Sequence, residues 1–157
     1  MRALAILIVA VVGSAAAGSN YRDVQNAVHD DRMLEAAGVA PADASLRMQC
    51  SAAVVETDDP PSFFDCVYVQ TERDLNLFSL EDGFLMSELQ LTMQNIDGVA
   101  LQRMGRYCQV QIFSRNRVAV FYIHANSWID PKQTEAVYQW LLEHGARSRD
   151  PVKWIGP

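Results

Sequence analysis

Three cysteines (Cys50, Cys66, Cys108) and three histidines (His29, His124, His144) are the side chains here with most scope for chemistry. A thiol can attack, ligate a metal or pair with another thiol, and an imidazole can move a proton or ligate a metal. Each role needs a partner at a suitable spacing. His29 precedes Asp30 and Asp31, a set that could hold a divalent ion. Consecutive helical residues point in different directions, however, so at most two of the three converge, and a solvated helix end is expected. His124 closes a strand beside Asn126 and Ser127, and would act as a general base only if a carboxylate from a distant strand reached it. His144 falls on the packing stripe of a C-terminal helix, where the helix dipole favours even a charged imidazole. The sequence has no His-x-x-x-His pair, no Gly-x-Ser-x-Gly elbow and no phosphate-cradling glycine loop. No catalytic, cofactor-binding or metal-ligating residue is therefore assigned.

The elements that would position these groups follow from periodicity. Residues 20–38 read as helical: Asn20 caps, Val24 and Val28 share a face, and Met33, Leu34 and Ala37 form a second set ending at Gly38. The phase shifts at Asp30-Asp31, which also fits two short helices. Residues 39–45, with Pro41, read as a linker. From residue 47 the period becomes two, with Met48, Cys50, Ala52 and Val54 alternating against Arg47, Gln49 and Ser51 as a half-buried strand. After a turn at Asp58-Asp59-Pro60-Pro61, strands are predicted at 63–70, 74–80, 85–93 (a pattern that also suits a short helix), 99–103, 107–113 and 118–124. Asp130, Pro131 and Gln133 then mark a helix start, Val137, Trp140, Leu141 and His144 form its apolar stripe, and Gly145 stops it.

Two hairpins fix residue pairs. A tight Arg115-Asn116 turn sets Val110 opposite Phe121, Ile112 opposite Ala119 and Cys108 opposite Ile123, with all six side chains on one face. Tyr107, Gln109, Gln111, Val120, Tyr122 and His124 take the other face. That face is expected to be covered by the N-terminal helical segment or, failing that, to serve as a contact surface through Tyr107, Gln109, Gln111, Tyr122 and His124. In the first hairpin, a register placing Cys50 opposite Cys66 also sets Met48 against Tyr68 and Ala52 against Phe64. A Cys50–Cys66 disulfide with Cys108 free is expected, the alternatives being buried free thiols or a bridge that uses Cys108.

The termini and the charge bound the setting. Arg2, an apolar run from Ala3 to Val12 and Ala15-Ala16-Ala17 read as a cleavable export signal, with cut expected before Gly18. The run is about half the roughly 20 residues a spanning helix needs. The expected organisation is 1–17 signal peptide, 18–46 N-terminal helical segment and linker, 47–145 antiparallel β domain with its C-terminal helix, and 146–157 C-terminal tail, in a periplasmic or secreted protein. Thirteen basic against nineteen acidic residues give −6, or −7 without Arg2, which argues against nucleic acid or anionic lipid as a partner.

Seven short antiparallel strands followed by one amphipathic helix, over roughly residues 47–145, resemble the pleckstrin-homology-like barrel superfamily in element order. The resemblance implies that Val137, Trp140 and Leu141 plug one end of a barrel. It also implies headgroup binding through basic residues near the loop joining the first two strands. Here that loop is Thr57-Asp58-Asp59-Pro60-Pro61-Ser62, acidic and rigid, so no phosphoinositide is expected. Arg103 and Arg106 flank one turn and Arg115 and Arg117 the next, at opposite ends of the sheet. The expectation is an α+β protein: an N-terminal helical segment, a strongly bent antiparallel sheet or barrel and a packed C-terminal helix. Its expected role is a small exported non-catalytic module binding an unknown protein, peptide or envelope component. A hydrolase using His124 with a distant carboxylate and a carrier of small apolar ligands are the alternatives.

Overall fold

The computed structural model describes residues 21–56, 63–115 and 117–153; the expected export signal and the Asp58–Pro61 turn lie outside them. Two short helices begin it, α1 (Tyr21–Val28) and α2 (Asp31–Ala36). The phase shift at Asp30 is where they part. Its backbone is extended and its carboxylate accepts from the N–H groups of Arg32 and Met33, which starts a new helix. Asp31 is held by Arg47. Both acids beside His29 thus have structural partners.

The strands are β1 (Leu46–Glu56), β2 (Phe64–Gln70), β3 (Asp74–Glu81), β4 (Phe84–Thr92), β5 (Gly98–Met104), β6 (Tyr107–Ser114), β7 (Arg117–Ala125) and the short β8 (Trp128–Ile129). They form one open antiparallel sheet in the order β4-β3-β2-β1-β7-β6-β5, with β8 on β7. Leu89 and Leu91 of one edge strand share a core with Val99 of the other, so the sheet bends strongly around a common interior. Helix α3 (Pro131–Glu143) packs on it. This is the α+β layout expected from the sequence.

The first hairpin has the expected register: Cys50 pairs with Cys66, Met48 with Tyr68 and Ala52 with Phe64. Cys50 and Cys66 are bonded, and Cys108 is free and buried. Tyr68, 5.5 Å from Phe121 between ring centroids, and Leu77, Ile112 and Leu141 fill the main core. Contrary to the half-buried pattern, β1 is buried on both faces: Gln49, Ser51, Ala53 and Val55 are covered as well as Cys50 and Ala52. A second core explains part of this. Val24, Ala27, Val28 and Leu34 of the N-terminal helices pack on Val67, Val69, Phe78 and Leu85 behind the sheet.

Strand β4 serves both cores through one irregularity. Leu77 pairs with Leu89 but Phe78 with Ser87, so Glu88 is an extra residue on β4. The bulge sends Leu89 and Leu91 to the main core and Leu85 to the second. Plain alternation would have put all three on one face, which is why the sequence pattern also suited a helix.

Two sequence expectations fail where α3 docks. Val110–Phe121 and Ile112–Ala119 pair as expected, but the β6–β7 ladder ends at Val110–Phe121, and Cys108 pairs with Arg103 of β5, not with Ile123. The backbone of Ile123 is engaged by the start of α3 instead. Its N–H donates to Thr134 Oγ1 (3.0 Å) and its carbonyl accepts from the Asp130 N–H (2.8 Å). This anchor also sets the helix rotation. The residues α3 buries are Thr134, Val137 and Leu141, whereas Trp140 is only partly buried and His144 is exposed, its ring 4.2 Å from that of Trp140. The cap is as expected, with Asp130 accepting from Lys132 and Gln133.

Beyond α3 the chain is not a detached tail. Gly145, at φ +96°, ends the helix, and Ala146 returns to the main core. Val99 N–H then donates to the Arg147 carbonyl and Arg149 N–H to the Val99 carbonyl, both at 2.8 Å, laying residues 147–149 along the outer edge of β5 in parallel. Gly98 leaves this side of β5 open, since a Cβ there would meet the Arg149 side chain and come within 3.2 Å of the Arg147 carbonyl oxygen.

Candidate functional site

Behind the sheet, cross-strand pairing lines up polar side chains. Gln102 lies opposite Gln109, Tyr122 opposite Ser51, and Ser51 opposite Asp65. This is the face assigned to possible contacts, and it divides into parts with different fates. Gln111 is fully buried, donating to the Val152 carbonyl (2.7 Å) and accepting from the Val152 N–H (2.8 Å). Gln109 is buried and donates to Gln102 (2.6 Å). Neither is presented to a partner, contrary to their assignment to a contact surface. The C-terminal segment occupies the β6 end, while the N-terminal helices cover β2 and β3. Tyr107, Tyr122 and His124 remain half-buried. Arg106 lies over the Tyr107 ring, and Tyr122 stands between Phe63 (5.8 Å) and His124 (5.4 Å), with Tyr21 6.1 Å from His124.

His124 does meet a hydroxyl and a carboxylate. Its Nε2 is 2.8 Å from Ser51 Oγ, which lies 3.1 Å from Asp65 Oδ1. The residue types are those of a nucleophilic triad, but the wiring is not. In a triad the carboxylate accepts from His Nδ1 and Nε2 takes the serine proton. Here the ionised carboxylate can only accept, so Ser51 gives its one proton to Asp65 and accepts from Nε2–H. His124 Nδ1 is then an acceptor, buried with no partner among the described residues. Burial holds this imidazole below its ordinary range, with Asp65 opposing. The arrangement orients Ser51 away from attack. Cys108 is equally unsuited to be a nucleophile. Its thiol donates to the Pro131 carbonyl (3.3 Å), and burial, then Glu135, pushes it above its usual range.

The sequence reading missed the outer side of β4. Phe84 and Met86 are 65% and 46% exposed. With Arg32, Met33 and Ala36 of α2, its C-cap Ala37, and Gly83 and Leu85, they line a groove of about 430 Å³. It is of the size that small ligands and anchoring side chains fill. The two sheet edges differ: residues 147–149 cover that of β5, while among the described residues no backbone pairs with the outer edge of β4. The run Phe84-Leu85-Met86 was the available signal, since a strand with one buried face does not need three consecutive large apolar residues.

The element order and strand path are consistent with a pleckstrin-homology-like fold. Solved structures similar to the chain include the Slm1 pleckstrin-homology domain in complex with phosphoserine (16% identity, TM-score 0.39) and with inositol 4-phosphate (16%, 0.37). A third comes from a systematic screen for protein–lipid interactions in Saccharomyces cerevisiae (14%, 0.38). Each alignment covers 66% of this chain and 94% of the other. No family model matches the chain, and no curated protein does. Among the described residues no helix is long and apolar enough to cross a membrane.

Proposed function

We propose that this chain is an exported, non-catalytic binding module that takes an extended apolar segment of a partner protein or peptide along β4. The observation that carries the reading is the exposure of Phe84 and Met86 beside the α2–β4 groove. A single exposed apolar residue is ordinary, but two flanking an apolar groove on an uncovered strand edge are the pattern of a contact site. A segment added to β4 would meet its outward N–H and carbonyl groups, and alternate side chains would enter the groove. Glu81 and Asp82 precede the strand and Glu88 lies within it, so basic residues flanking the partner's apolar pair are favoured.

Export is supported by the N-terminal charge–apolar–small pattern and by the Cys50–Cys66 pair, since disulfides persist in oxidising compartments. A phosphoinositide is disfavoured by Asp58 and Asp59, whose carboxylates repel phosphate. Selection from a random linear peptide library on the immobilised protein tests the reading. Selected peptides should carry alternating apolar residues, protect β4 amides from exchange and lose at least tenfold in affinity to Phe84→Ser or Met86→Ser. Peptides that bind both variants unchanged, or a preference for inositol phosphates, would overturn it.

A further inference from the structure

A second recess lies between the α2–β1 connection and the β2–β3 turn. It measures about 590 Å³, and unlike the β4 groove its lining is polar, including Asp43, Glu72, Arg73, Asp74, Asn76 and Gln90. Its floor has an unusual member. Seven polar side chains are buried among the described residues: Gln49, Ser51, Gln70, Asn76, Gln109, Gln111 and Thr134. Six have a hydrogen-bond partner: Gln49 donates to the Tyr21 carbonyl, Ser51 to Asp65, Gln109 to Gln102, Gln111 to Val152 and Thr134 to the Asp130 carbonyl, while Gln70 accepts from Tyr68. Asn76 is 3% exposed, lines the recess and makes no side-chain hydrogen bond among the described residues. A primary amide with two donors and an acceptor, covered over nearly all of its residue surface and opening onto the recess, is a group that a ligand can bind.

We propose that this recess binds a small organic cation bearing an amine or a guanidine. Asp43, Glu72 and Asp74 outnumber Arg73 around it, a local balance of −2, and this favours a cation over an anion. The amide oxygen of Asn76 accepts from the ligand's N–H groups at the floor while the carboxylates neutralise its charge. The walls are fixed in advance. Thr71 Oγ1 accepts from the N–H groups of Arg73 and Asp74, at 3.2 and 3.0 Å, which holds the turn carrying Glu72. Ser45 Oγ donates to the Gln70 carbonyl at 3.1 Å and Ser45 N–H to the same oxygen at 2.8 Å, which holds the opposite wall. The site is separate from the β4 groove, so the two readings stand or fall independently.

Agmatine, which carries both an amine and a guanidinium, is the probe, with citrate and lactose as anionic and neutral comparators. Titration followed by nuclear magnetic resonance and calorimetry should show saturable one-to-one agmatine binding that shifts the Asn76 side-chain amide and the backbone amides of Glu72 to Asp74. Asn76→Leu, close in volume and suited to a buried position, should weaken binding at least tenfold. Asp74→Asn, which leaves Asn76 in place, should weaken it at least threefold, and Phe84→Ser should leave it unchanged. Non-saturating shifts spread over the acidic surface, equal affinity in Asn76→Leu, or stronger binding of citrate or lactose would overturn the proposal.

Discussion

Thr134→Val is the perturbation that most directly tests how α3 is joined to the sheet. Thr134 is fully buried, and its hydroxyl both accepts from the Ile123 N–H and donates to the Asp130 carbonyl. Valine keeps the shape, opens no cavity and has nearly the helix propensity of threonine. What changes is the hydrogen bonding. Ile123 is itself fully buried, so its N–H loses its acceptor with no water to replace it. The Asp130 carbonyl keeps its bond from the Thr134 backbone N–H (3.0 Å) and is only partly deprived. One buried unsatisfied donor costs about 1–3 kcal/mol, and the more apolar side chain offsets little of that. Denaturant titration should therefore show Thr134→Val destabilised by about 1–3 kcal/mol, a large share of the roughly 5–15 kcal/mol typical of a domain. Hydrogen exchange should show Ile123 N–H less protected. Gln139→Ala, on the exposed side of α3, should change stability by less than about 0.5 kcal/mol. A Thr134→Val protein as stable as the parent, or more so, would refute the claim that α3 is pinned to β7 through this hydroxyl.

Four further outcomes are expected. Peptide mapping without reduction should find Cys50 linked to Cys66 with Cys108 unmodified. Replacing both bridged cysteines by alanine should cost about 3 kcal/mol for a pair 16 residues apart. His124 binds a proton less readily folded than unfolded, because burial lowers its pKa more than Asp65 raises it. Stability should accordingly be fully present above about pH 6.5 and fall as pH drops below it. His124→Gln should flatten that loss. Gly98→Val should displace the Arg149 side chain and crowd the Arg147 carbonyl, read as lowered exchange protection at Val99 N–H. Leu141→Ala should cost about 2–5 kcal/mol and exceed the cost of Trp140→Ala, whose ring is partly exposed.

The sequence by itself determined what short-range rules determine. Alternation fixed which residues of β1, β2, β6 and β7 share a face, and the hairpin register that set Cys50 opposite Cys66 agreed with that pattern. Asp130-Pro131 and Gly145 marked the ends of α3 because capping depends on a few adjacent residues. What sequence could not supply was covering. Whether the back of β1, β6 and β7 meets water, a helix or the C-terminal segment depends on where distant residues return, and so the burial of Gln109 and Gln111 was not legible. The rotation of α3 is of the same kind: Trp140 is the largest apolar residue of the stripe, yet the bond from Ile123 to Thr134 turned it to the flank. The two proposed binding sites were equally hidden. Asn76 becomes a candidate ligand group only because, among the described residues, no side-chain hydrogen bond reaches its amide, and Phe84 and Met86 become a proposed contact surface only because no described backbone pairs with the outer edge of β4. Both are properties of which elements fail to meet, which only the folded arrangement decides.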